Sequence, residues 1–327
     1  NLASLLGKEV SLRVESLPST ELSGFRLHGD MSHVLVIAIS QSGTTTDTNR
    51  TVDLARARGA SVISIVNRRD SELTKKSDGV LYTSDGRDIE MSVASTKAFY
   101  SQIAAGILLG LAIADATNGP LADVRRLDKR NKLLLALREI PNLMRKVLLE
   151  QQKISQIAAE LAPAKKYWAV VGNGFNIVAA KEIRIKLSEL CYKSIAADFT
   201  EDKKHIDLSA EPLILVCAAG LEGSVSIDAA KEVAIYRAHK ASPIVITNDV
   251  EAFPSALKVI EVPSTVPELA FVLSTMAGHL FGYEAALSID AQAVPFRDIR
   301  AAMEQAVSES PETTGEVMLG NLKSQIH

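Results

Sequence analysis

The sequence predicts an α/β fold of two domains, and three observations carry that prediction. Short apolar runs rich in Val and Ile alternate with helix-length segments through most of the chain, the pattern of parallel α/β layers. At 327 residues the chain can hold two domains of moderate size, each with its own core. The order of elements also recurs: the strands at Val34–Ile39 and Leu213–Cys217 correspond when the two halves are laid over each other.

In the first half, strands are expected at Val10–Val14, Val34–Ile39, Ser61–Val66 and Gly79–Tyr82. The largely apolar stretch Ser92–Ala116 reads as a long helix buried on most sides. From Leu121 to Leu161 the pattern is amphipathic helix, broken at Pro141. A second α/β set follows, with strands at Tyr167–Val171, Ser194–Ala197, Leu213–Cys217, Pro243–Thr247 and Val259–Val262, and a closing helix at Leu269–Ala286. The domain limits are therefore 1–120, a connector at 121–161, 162–290, and a tail at 291–327. The second half opens with a strand and glycine loop, Trp168–Gly174, for which the first half has no counterpart. A strand and loop are expected ahead of Asn1.

Hydrophobic content of 47% and a formal net charge of −3 describe a soluble globular protein with no basic face for nucleic acid. The most basic stretch, Arg125–Arg130, is interleaved with acid and reads as a solvated helix face. Cys191 and Cys217 lie in apolar surroundings, as buried thiols of a cytoplasmic protein do. The histidines lack metal-ligand spacing, so no metal is expected. The run Ile103–Ala114 is too short to span a bilayer, and no membrane partner is expected.

The most informative stretch is Ser40-Gln41-Ser42-Gly43-Thr44-Thr45-Thr46-Asp47-Thr48, between a buried strand and a helix start. The first amides of a helix are unpaired and the macrodipole favours an anion there. Gly43 allows a tight turn, and Ser40, Ser42 and Thr45 offer hydroxyl donors to phosphate oxygens. No lysine follows the glycine, so the loop is not of the Walker A kind. An ordinary N-cap is the bland alternative, but a cap needs one hydroxyl and this loop has several.

Ser-Gln-Ser-Gly-x-Thr-x-Asp-Thr after a strand, followed farther on by Val93-Ala94-Ser95-Thr96-Lys97-Ala98-Phe99, resembles the sugar isomerase (SIS) domain family, in particular the isomerase half of the glucosamine-6-phosphate synthases. The resemblance covers nearly the whole chain and implies two tandem doubly wound, flavodoxin-like SIS domains joined by helices. It implies that Ser40, Gln41, Ser42 and Thr45 hold a sugar phosphate, with Val93 and Ser95 against the sugar. It further implies that Glu189 is the base moving a proton between C1 and C2, with Lys186 balancing its charge. Without the resemblance, Lys186-Leu187-Ser188-Glu189 reads as a surface ion pair on one helix face. His205, in Lys203-Lys204-His205, corresponds to a histidine that helps to open the sugar ring from the neighbouring subunit. A homodimer is implied, acting on a phosphorylated hexose or amino sugar.

This sequence departs from the family in several places. Ile206-Asp207 follows His205 where the family has Gly-Pro. Arg300 and Ala301 stand where the family has a tail lysine that forms an imine with fructose 6-phosphate, and an arginine stays protonated. No glutamine-hydrolysing domain opens the sequence, so the expected activity is that of a sugar-phosphate isomerase without its own glutaminase. A phosphosugar deglycase and a non-catalytic sugar-phosphate sensor are the alternatives. Gly172-Asn173-Gly174 with Asp198 mimics a dinucleotide fingerprint, but Ile177 replaces its third glycine and no cofactor is expected. The second half's own loop, Cys217–Ser224, carries Glu222, which would repel phosphate, so one sugar-phosphate site per chain is expected.

Overall fold

A computed structural model of the chain describes residues 12–85, 95–118, 124–204 and 210–309, with the single positions 315 and 320. It is mixed α/β with two parallel sheets. The contacts divide it into two compact units, Asn1–Pro141 with Thr265–Val272, and Asn142–Ser264 with Leu273–His327.

The sheet of the first unit runs β1 (Leu35–Ser40), β2 (Ser61–Val66), β3 (Gly79–Tyr82), in that order and all parallel, with Leu35 opposite Ser61 and Ile63 opposite Gly79. Helix α1 (Thr46–Arg56) buries Val52 and Ala55, one turn apart, against this sheet, where Ala38, Val52, Val62 and Leu73 form a core cluster. Gly59, at a φ of +91°, turns the chain from α1 back into β2. A short helix α2 (Glu72–Lys75) leads to β3. Then comes α3 (Thr96–Asn118), which packs against β2 and whose Asp115 is ion-paired with Arg130 of α4 (Val124–Leu149) at 3.1 Å.

Some expectations for this half change. Leu12–Val14 forms no strand, while residues 10 and 11 lie outside the described set. The apolar run Ile103–Ala114, too short by itself to span a bilayer, is part of the longer helix α3. Thr96–Thr117, with a mean hydropathy of 1.5, is by length and composition able to cross a membrane. Pro141 does not break α4. It sits on the exposed side of the helix, so the carbonyl that loses its amide partner there can turn to water.

The second unit holds a five-stranded sheet, β4 (Trp168–Gly172), β5 (Ala196–Asp198), β6 (Leu213–Cys217), β7 (Ser242–Thr247) and β8 (Lys258–Glu261). Its order is β5-β4-β6-β7-β8, all parallel, so the second strand flanks the first on one side and the rest follow on the other. That is the flavodoxin order, with its switch point between β4 and β6. Every residue of β4, β6 and β7 is buried, which explains why these strands read as unbroken apolar runs.

Helix α5 (Gln151–Leu161) buries Ile154, Ile157, Ala158 and Leu161 on one face. α6 (Asn176–Cys191) follows β4, the short α7 (Thr200–Lys204) follows β5, and α8 (Gly223–Ala238) follows β6. Ala229, Val233 and Tyr236 of α8 pack with Val171, Ile214, Val216 and Val245 of the sheet. Gly172 is bare for a steric reason: a Cβ there would meet the Asn176 carbonyl oxygen at 2.5 Å, in backbone that cannot swing aside. The single tryptophan, Trp168, lies 6.3 Å between centroids from Phe281 of α9 (Pro267–Glu309).

α9 is the largest departure from expectation. It continues through Pro295 to Glu309 and takes in Arg300 and Ala301, which were expected in a tail. Its later half is alanine-rich and exposed, so helix propensity favours continuation, and Pro295 again faces solvent.

Candidate functional site

In the first unit, β1 ends at Ser40 and the chain turns sharply before α1. Ser40 is 8% exposed, and its Oγ accepts the Gly43 amide at 3.0 Å, so this hydroxyl builds the turn. The Ser42 Oγ accepts the Thr44 amide at 3.2 Å and the Thr44 hydroxyl at 2.9 Å. Gln41 ties the loop to β2 through its carbonyl, which accepts the amides of Asn67 and Arg68. The Gln41 Oε1 accepts from the Gln102 side chain of α3 at 3.4 Å. Ser95 is the residue just before α3, so the helix start that carries it belongs to the same unit as the loop. Thr45 is the N-cap residue of α1, and its side chain makes no cap bond. The first amides of α1 therefore lack a side-chain cap beside an exposed hydroxyl, an arrangement suited to an anion.

Two residues that sequence reasoning missed shape this loop. The Asn49 Nδ2 donates to the carbonyls of Gly43 and Thr45, both at 3.1 Å, from a side chain 3% exposed. Ser71 is equally buried, and its Oγ would lie 2.1 Å from a Cβ on Gly43, whose φ is +65°. The Leu73 amide donates to the Gly43 carbonyl at 3.1 Å. Gly43 is thus held on three sides, and only glycine fits. The signal for Asn49 was present, since a polar residue at a core-facing position of an amphipathic helix calls for a partner.

In the second unit, α6 carries Lys186 and Glu189 one turn apart, with Nζ and Oε2 3.3 Å apart. The Lys186 side chain is only 8% exposed, whereas that of Glu189 is 38% exposed. The ammonium is therefore sunk in the unit while the carboxylate reaches its surface, unlike an exposed ion pair. Lys186 also faces Glu182 one turn back, Nζ to Oε1 at 3.9 Å. The same Oε1 lies 3.4 Å from the Nε2 of His279 on α9. Neither Glu182 nor His279 was singled out from sequence. At the end of α6, burial pushes the Cys191 thiol up to about 11, against the opposing charge of Lys193. Val93 and His205 lie outside the described residues.

The glycine loop at Gly172–Gly174 is occupied by structural bonds. The Asn173 Nδ2 donates to the Thr200 hydroxyl at 2.6 Å, and the Asn176 Nδ2 donates to the Ala219 carbonyl at 2.8 Å. The Asn176 Oδ1 accepts from Ser274 at 2.9 Å.

Residues 32–112 match the SIS domain family. The glutamine–fructose-6-phosphate aminotransferase (isomerizing) of Mycolicibacterium smegmatis is 33% identical over 254 residues, covering 76% of this chain and 39% of that protein. The enzyme of the same name from Thermus thermophilus is 31% identical over 260 residues, covering 78% of this chain and 42% of that protein. The chain thus spans about two fifths of the length of these relatives. Among solved structures, the C-terminal domain of glucosamine-fructose-6-phosphate aminotransferase from Francisella tularensis shares the fold. Its TM-score is 0.78 at 23% identity, over 88% of this chain and 80% of that one. Residues 32–112 are a SIS domain, and about three quarters of the chain is similar to glutamine–fructose-6-phosphate aminotransferases.

Proposed function

We propose that the chain is a sugar-phosphate isomerase of two tandem SIS domains, acting on fructose 6-phosphate or glucosamine 6-phosphate by proton transfer through an enediol. The observation that carries the reading is the Ser40–Thr45 loop, a braced turn that opens an 11-residue helix with no side-chain cap. Its hydroxyls and the first amides of α1 bind the phosphate. Glu189 is the base, taking the proton from C1 or C2 and returning it to the neighbouring carbon. Lys186 sets the charge beside it and His205 opens the ring, with the subunits paired as a cytoplasmic homodimer. The names of the similar proteins support this reading, since both sequence relatives are called isomerizing aminotransferases of fructose 6-phosphate.

A phosphosugar deglycase or a non-catalytic sensor is the second reading. It is favoured by Arg300, which sits in α9 ion-paired with Glu304 at 2.8 Å, beside Ala301, with no lysine at either position.

The test joins binding with exchange. Fructose 6-phosphate at a hundred times its dissociation constant should add about 2.7 kcal/mol of stability, seen as a rise in Tm that unphosphorylated fructose does not give. Ser42→Ala should remove the rise. Deuterium should enter C1 or C2 from heavy water with wild type. Glu189→Gln should stop that exchange while keeping the thermal shift. Binding without exchange would select the sensor, and no shift with any sugar phosphate would end the proposal.

A further inference from the structure

Helix α9 crosses α6 through a stripe of small residues, Ser274, Gly278 and Gly282, each one turn beyond the last. Ser274 bonds Asn176, and a Cβ on Gly278 would fall 2.3 Å from the Ile183 Cδ1. A Cβ on Gly282 would lie 3.1 Å from the Leu187 Cδ2, and the Cys191 thiol donates to the Gly282 carbonyl at 3.8 Å. The contacts ascend together along both helices, so the two backbones run side by side in one direction at close range. His279, next to Gly278, is thereby carried to Glu182, next to Ile183.

Here the Glu182 Oε1 faces two cationic or donor groups, His279 at 3.4 Å and Lys186 at 3.9 Å. All three side chains are nearly buried, at 14% exposure for Glu182 and 8% for each of the others. A buried charge is tolerated only when paired, and Glu182 and Lys186 pair with each other. Lys186 in turn meets the more exposed Glu189 at 3.3 Å.

We infer that Glu182 and His279 are positioning residues for the reaction, holding Lys186 by its far side so that its ammonium sets Glu189 without closing on it. This rests on the proposed role of Glu189. Without Glu182, the buried ammonium has Glu189 as its one carboxylate among these groups. It draws that carboxylate inward, away from substrate. His279 fixes the rotamer of Glu182 across the crossing.

The experiment follows deuterium exchange at C1 and C2 of fructose 6-phosphate with the full chain. Glu182→Gln, which keeps the volume and removes the charge, should lower kcat about ten- to a hundredfold with KM within about threefold, as expected of a misplaced reacting group. His279→Leu should do the same, and His279→Gln, whose side-chain amide can donate to the Glu182 Oε1 that lies 3.4 Å from the native imidazole Nε2, should restore most of the loss. In a Lys186→Met background, Glu182→Gln should cost nothing further, because both act through one ammonium. Equal kcat in wild type, Glu182→Gln and His279→Leu overturns the inference and leaves the function standing. Losses that simply add in the Lys186→Met background also overturn it, since they mark a structural effect. If wild type itself exchanges no deuterium, the proposed function falls and the inference falls with it. Should Glu182→Gln fail to fold, the His279→Leu and His279→Gln pair gives the same decision.

Discussion

Replacing Gly43 by alanine would put a methyl carbon 2.1 Å from the Ser71 Oγ and force a side chain onto a φ of +65°. The Ser71 Cβ would lie only 2.7 Å away as well, a clash that rotating the hydroxyl does not relieve. Gly43→Ala should therefore lower stability by about 1–3 kcal/mol in denaturant titrations and abolish the thermal shift given by fructose 6-phosphate. A variant as stable and as responsive as wild type would show that the loop does not depend on this glycine. The need for a turn here was legible in the sequence, because a lone glycine among hydroxyls, between a strand and a helix, has few other uses. The braces were not legible. Ser71 reaches Gly43 through the β2–α2 connection, and His279 reaches Glu182 through a helix crossing that no local pattern announces.

Among elements, β2, β3 and β6 fall on the residues the sequence indicated, since each is a β-branched or aliphatic run bounded by turn residues. Helix ends were harder to place. Pro141, read as a break, and Pro295 both face solvent, where a lost backbone bond is replaced by water, and periodicity alone does not say which face that is. The β2–β3 connection carries a pH-dependent contribution. Asp78 accepts from the Arg56 guanidinium at 2.8 Å and from the Val62 amide at 2.7 Å, and these bonds, Arg56 first, hold its carboxyl below the usual aspartate range. A depressed value means stabilisation that is present above the unfolded-state value and lost as pH falls through the folded one. Asp78→Asn should thus be less stable than wild type at pH 7, and the gap should close as pH falls below about 4. A gap that stays constant down to pH 2 in thermal melts would contradict this.

On the scale of the whole chain, both cysteines are free and buried in the second unit. With the Cys191 thiol near 11, only roughly one molecule in a thousand is thiolate at pH 8. Burial pushes the Cys217 thiol higher still. The native protein should give almost no colour with a disulfide reagent at pH 8, and both thiols should react promptly in guanidinium. Fast labelling of one thiol in buffer would mean that the end of α6 opens readily. The lone tryptophan sits in that same unit, 5% exposed on β4 and tilted against Phe281. Emission spectroscopy is consequently a one-sided witness. Excited selectively, the tryptophan follows the five-stranded sheet alone, so a chain whose Ser40–Thr45 loop had melted could still glow as though native.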